Sequence, residues 1–167
     1  MPTHAIFILI RLVHVVTGTF WAGGAVLVAL SVVPAIRAAG PAGAAVLRNL
    51  MVVQKLPYVL IALGIASLVS GVYLTLVVSN GSITRWLGTG SGATYALGAL
   101  AAVLAALIGL GINIPTAGRL ADLQKQTPAV QQQLGPALAH RLAVGTRAGG
   151  VLLIIALSAM AVGRYIP

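Results

Sequence analysis

The chain has 167 residues, 59% of them apolar and 7% charged, against roughly 25% charged residues in an ordinary soluble domain. Ten Lys and Arg against a single acid, Asp122, give a net charge of +9. The cations flank apolar runs and do not cluster with exposed aromatics, so they read as anchors and not as a nucleic-acid surface. The absence of cysteine excludes disulfides, thiolate metal sites, iron–sulfur clusters and cysteine nucleophiles.

Uncharged runs of 25 residues (Leu12 to Ile36), 29 (Leu56 to Thr84), 33 (Trp86 to Gly118) and 16 (Ala148 to Gly163) interrupt the charges, and a spanning helix needs about 20. The pattern predicts an all-α fold: one domain over residues 1–167, a four-transmembrane-helix bundle in the lipid bilayer. Segment one covers residues 5–33 and is closed by Pro34. It reads as a retained helix, because the apolar stretch after Arg11 exceeds the roughly 7–15 residues of a signal peptide. Gly40 and Pro41 then make a turn. Residues 43–55 place Val46, Leu47, Leu50 and Met51 on one face with Arg48 and Lys55 on another, predicting a short interfacial helix.

Segment two, residues 56–78, carries Pro57 in its first turn and a face of Gly64, Ser67, Ser70 and Gly71 suited to close helix contact. Residues 79–92 have the Gly, Ser, Thr and Asn of an exposed loop, with Arg85 and Trp86 at a membrane interface. Segment three, residues 93–114, repeats Gly98, Ala102, Ala106 and Gly109 at three or four residues and is closed by Asn113 and Pro115. In the polar stretch that follows, Thr127-Pro128 predicts an N-cap and N1 proline for a short helix through Gln131 to Leu134. Segment four covers residues 141–165. Arg147 lies within it and needs headgroups or a partner, for which Asn113 is the nearest expected acceptor.

Segment one carries the chemistry. In RLVHVVTGTFWAGG, residues Arg11, His14, Thr17, Gly18, Trp21 and Ala25 fall at spacings of three and four, on one helical stripe that should face protein. An ionisable group inside a membrane helix is costly, which makes Arg11 and His14 functional candidates. His14 is either a neutral imidazole hydrogen-bonded within the bundle or an axial ligand to a b-type haem iron. Met160, at a similar depth in segment four, is the other soft ligand there. Arg11, Arg85 and Arg164 suit an anionic group such as a propionate, or serve as anchors. Trp21 is a stacking surface or a packing residue. Gly18, Ser70 and Gly71 are small enough to leave room for a flat ring. Catalysis by paired acids has no support, since Asp122 lies between Arg119 and Lys125 in a loop.

His14, Trp21 and Gly24, with the order of helices around them, resemble the CopD-like copper-resistance membrane domain and the HemJ-type protoporphyrinogen oxidases. The resemblance implies a small inner-membrane protein with a haem, and for HemJ-type proteins an oxidoreductase. The lysine those proteins carry in their third helix has no counterpart between Trp86 and Gly118. A quinone-like ligand near His14 and a copper-handling role are the related readings, although three Met and no Cys are few copper ligands. The alternative from another class is a non-catalytic protein that forms a homo-oligomer or joins a larger membrane complex through its Gly and Ala faces.

Both termini fall on one side of the bundle with three cations (Arg11, Arg85, Arg164), while the other side has seven. The excess of Lys and Arg predicts that the seven face the cytoplasm and the termini face outward. A C-terminal reporter that works only in the cytoplasm should therefore be silent; a strong signal would reverse the orientation.

Overall fold

The computed structural model describes residues 4–123 and 125–167, the side chain of Pro41 aside, and its elements are all helical. We number them α1 (His4–Ala38), α2 (Gly40–Arg48, continued by Asn49–Val53), α3 (Leu56–Val78), α4 (Ile83–Leu87), α5 (Gly90–Leu123) and α6 (Pro128–Val162, ending in the turn Gly163–Tyr165). Helices α1, α3, α5 and α6 are each long and apolar enough to cross a membrane. The chain is a multi-pass membrane protein with a short helix between its first two spans, and many Leu, Ile and Val side chains lie exposed on the outside of the bundle, as lipid-facing surfaces require.

The second span keeps the expected bounds, but the first and third run past their prolines. In α1 the five residues Val28–Val32 form a π turn, and the Val33 N–H donates to the Val28 carbonyl, five residues back. Pro34 follows at once, and the helix continues to Ala38. In α5 the π turn is Gly109–Asn113, the Ile114 N–H donates to the Gly109 carbonyl, and Pro115 follows. A proline within an α-helix strikes the carbonyl four residues before it. Leu30 and Gly111, which own those carbonyls, sit in the middle of the two widened turns. The prolines are therefore absorbed and do not terminate the spans. Asn113 likewise lies inside a helix.

Two further boundaries differ from expectation. The helix predicted around Gln131 to Leu134 is the first part of α6, which passes through Pro136 without a break. The loop after α3 holds α4, preceded by a reversal at Asn80 and Gly81, whose φ angles are 48° and 78°. Gly40, with φ of 53°, supplies the left-handed turn from α1 into α2.

The spans associate as two tight pairs, α1 with α3 and α5 with α6, joined mainly where α1 meets α6, while α3 and α5 touch little. Helix α6 is the hub: 44% of its most apolar window is buried, against 17–22% in the other three spans. Small residues let the backbones approach. A Cβ on Gly64 would lie 3.0 Å from the Trp21 indole, and one on Gly98 would lie 2.9 Å from the Ala159 methyl. In the middle of α5 Gly98 is buried as the spacing predicts, Ala101 and Ala105 are buried too, and Ala102 and Ala106 are half-buried against the same core.

Asn113 does not pair with Arg147. Its Oδ1 is buried against Gly145, at the place a Cβ would take, and has no hydrogen-bond partner among the described residues. Arg147 lies on another face of α6, exposed and beside Pro34 and Arg37 of α1. The two residues differ by helical phase: positions 145 and 149 face α5, and 143 and 147 face α1.

Gly64→Val and Gly98→Val should each force a helix pair apart and lower stability by about 1–3 kcal/mol, read as earlier loss of the monodisperse peak on heating in detergent. Gly23, with no atom within 4 Å of an added Cβ, is the control position, and Gly23→Val should melt with the parent. Equal losses at all three positions would contradict the packing described.

Candidate functional site

His14 is built into the seam between α1 and α3. Along α1, His14, Gly18 and Trp21 occupy one face by helical spacing, and α3 answers with Gly71, Ser67 and Gly64, so large groups meet small ones. The imidazole Cε1 lies 2.9 Å from where a Gly71 Cβ would be, and the Ser67 hydroxyl lies 3.0 Å from the corresponding point on Gly18. His14 Nδ1 is 2.8 Å from the Ser67 carbonyl oxygen. A carbonyl can only accept, so Nδ1 carries the hydrogen, and in the neutral ring Nε2 keeps its lone pair. The same carbonyl accepts from the Ser70 hydroxyl at 3.0 Å, which also reaches the Ala66 carbonyl at 2.6 Å. The imidazole is hydrogen-bonded within the bundle through Nδ1.

The room expected for a ring beside Gly18 and Gly71 is filled. Ser67 occupies the first space and His14 itself the second, so no macrocycle fits within the α1–α3 seam. Small residues next to a histidine suggest free volume in a sequence, whereas in the folded bundle they are the sockets for neighbouring side chains.

The other residues singled out in the sequence are dispersed. Met160 presses its methyl group onto Gly98, 3.4 Å from a Cβ position there, and so belongs to the α5–α6 seam. It lies seven residues from Leu153, and His14 lies seven from Trp21. Trp21 and Leu153 share one core cluster, so His14 and Met160 sit at a similar depth, about 10 Å toward the termini. Each is turned into its own helix pair. Arg11, Arg85 and Arg164 are exposed, and the Arg164 guanidinium stands 4.5 Å over the Tyr165 ring, a cation–π contact. That end of the bundle is closed by aromatic packing: Trp86 stacks on Tyr95 with centroids 6.3 Å apart, and Tyr95 lies against Gly163.

A cleft lies on the other side of Trp21. Because α3 and α5 stand apart, this cleft of about 220 Å³ runs between the four spans, from Trp21 and Leu153 to α2 and Asn113. All three π turns contribute to its wall, through Val28 and Val32, Leu50 and Met51, and Gly109, Leu110 and Asn113. The wall is apolar except for the Trp21 indole, Asn113 and Thr146. The Thr146 hydroxyl is already used, donating to the Leu142 carbonyl at 2.8 Å. Asn113 is not: its Oδ1 makes no hydrogen bond among the described residues. This oxygen is a buried acceptor with unused capacity in an otherwise greasy chamber.

Sequence reasoning finds Trp21 but neither the cleft nor the part played by Asn113. Two signals are present. Asn113 is a carboxamide deep in an uncharged run of 33 residues, and Val33-Pro34 and Ile114-Pro115 stand at matching places in the first and third spans. Compared with models of known protein families, with curated proteins and with solved structures, the chain matches none.

Proposed function

We propose that this membrane protein binds a quinone-like ligand, an apolar ring bearing carbonyl acceptors, in the cleft between α3 and α5. The observation that carries the reading is the unpartnered Asn113 Oδ1 at the end of an apolar chamber that opens between two spans. A cavity of about 150 Å³ lined by apolar side chains already accepts benzene, and this one is larger. Because the cleft opens between two spans, it can be filled directly from the bilayer. The unpartnered Asn113 Oδ1 accepts from a hydroxyl of the ring in its reduced form, and the weak α3–α5 contact leaves a lateral path for an isoprenoid tail. The site lies below Trp21 and not beside His14.

A second reading, a b-type haem on His14, draws on one observation. Donation of Nδ1–H to a carbonyl is the way ligating histidines are commonly held, leaving Nε2 for iron. The macrocycle would have to lie outside the α1–α3 seam. Protein expressed with ample haem should then show a Soret band that His14→Ala removes; a protein with no band leaves His14 as a seam hydrogen bond.

Trp21 and Trp86 are the two tryptophans of the chain, so a Trp86→Phe background makes Trp21 the reporter for the leading reading. In lipid nanodiscs, a short-chain benzoquinol should alter Trp21 emission saturably. Asn113→Leu should weaken the effect by about tenfold, the value of one buried hydrogen bond, and Ala106→Phe, which fills the cleft, should abolish saturation. A change that rises linearly with quinol in the membrane, alike in all three proteins, would dismiss the site.

A further inference from the structure

A second pocket, separate from the cleft, lies in the groove between the end of α1 and α6. It has a volume of about 220 Å³ and is lined by Ala29, Val33, Pro34 and Arg37 of α1 and by Ala143 and Arg147 of α6. Two exposed arginines from different helices therefore border one small space. Neither makes an ion pair or a hydrogen bond within the described residues, where the ion pair present is Lys125–Asp122 at 2.9 Å. Asp122 is the chain's one Asp or Glu, so no other side-chain carboxylate exists to balance them. Two like charges facing a common hollow repel, and an anion between them removes that cost.

The geometry points to a phosphate-binding site, and we propose that Arg37 and Arg147 together hold a phosphate group, supplied by an anionic membrane lipid. Guanidinium suits this chemistry, because its planar fork gives two parallel N–H donors to a phosphate. The remaining walls, Ala29, Val33, Pro34 and Ala143, are apolar, which matches the glycerol and upper acyl region of a lipid better than a free hydrated ion. Basic pockets between spans on the cation-rich side of a membrane protein are a known setting for anionic headgroups. The Pro34 turn contributes directly: the helix of α1 continues beyond its proline and so carries Arg37 up to α6.

The test uses the full chain purified in detergent, with native mass spectrometry and thermal melting as readouts. Phosphatidylglycerol should remain bound at collision energies that strip phosphatidylcholine, and should raise the melting temperature. Arg37→Gln and Arg147→Gln should each reduce phosphatidylglycerol affinity by about tenfold, Arg37→Lys and Arg147→Lys should retain part of it, and Arg85→Gln, at the opposite end of the bundle, should leave it unchanged. Inorganic phosphate is the second arm. Stabilisation by phosphate alone that is lost in both Gln variants would keep the site and assign it to the free anion. Equal phosphatidylglycerol retention in the parent and both Gln variants, or binding of neither probe by the parent, would overturn the proposal.

Discussion

In a bilayer each backbone N–H and C=O must find its partner within the protein, and this chain places a proline inside three of its four spanning helices, Pro34, Pro115 and Pro136. The rest of the structure follows from how that conflict is resolved. Pro34 and Pro115 are each preceded by a π turn that moves the hydrogen bonds back by one residue, Val33 to Val28 and Ile114 to Gly109, while α6 runs through Pro136 without one. Helices α1 and α5 then continue, but with a wider cross-section on the side of the bundle away from the termini. Both wide turns border the same chamber, and a third π turn, after α2, closes it from below.

The two halves of the bundle consequently differ. Toward the termini, α1 meets α3 through His14, Ser67 and Gly71, and α5 meets α6 through Gly98 and Met160, with side chains filling the available sockets. That half is ordinary close packing. Beyond Trp21 the spans are spread, the wall is apolar, and the Asn113 Oδ1 is left without a partner. Buried polar groups are normally satisfied, and an exception inside a chamber open between two helices is the reason for placing ligand binding there and not at the histidine.

Much of the architecture is legible in the sequence, because uninterrupted hydrophobic length is a strong signal in membrane proteins. The bounds of α3 and the presence of a short helix before it follow directly from that pattern. The ends of α1 and α5 are misplaced by one rule, that proline stops a helix, which fails where a π turn supplies the missing space. Depth alone pairs Arg147 with Asn113, and helical phase separates them. Gly18 and Gly71 resemble vacancies in the sequence, although a glycine records only that something approaches closely, and the close neighbours are Ser67 and His14. The cleft has no direct signature, since it arises from the distance between α3 and α5 and not from any one segment.

Solid-state NMR of the chain in lipid bilayers, with ¹⁵N at Val33 and Ile114 and ¹³C in the carbonyls of Val28, Ala29, Gly109 and Leu110, measures the two bulges directly. The Val33 nitrogen should lie about 4 Å from the Val28 carbonyl carbon, the spacing of a hydrogen-bonded pair, and Ile114 should stand in the same relation to Gly109. Closest approach to Ala29 and Leu110 instead would mean ordinary α-helical register at both prolines, and would contradict the account of how the two helices pass their prolines.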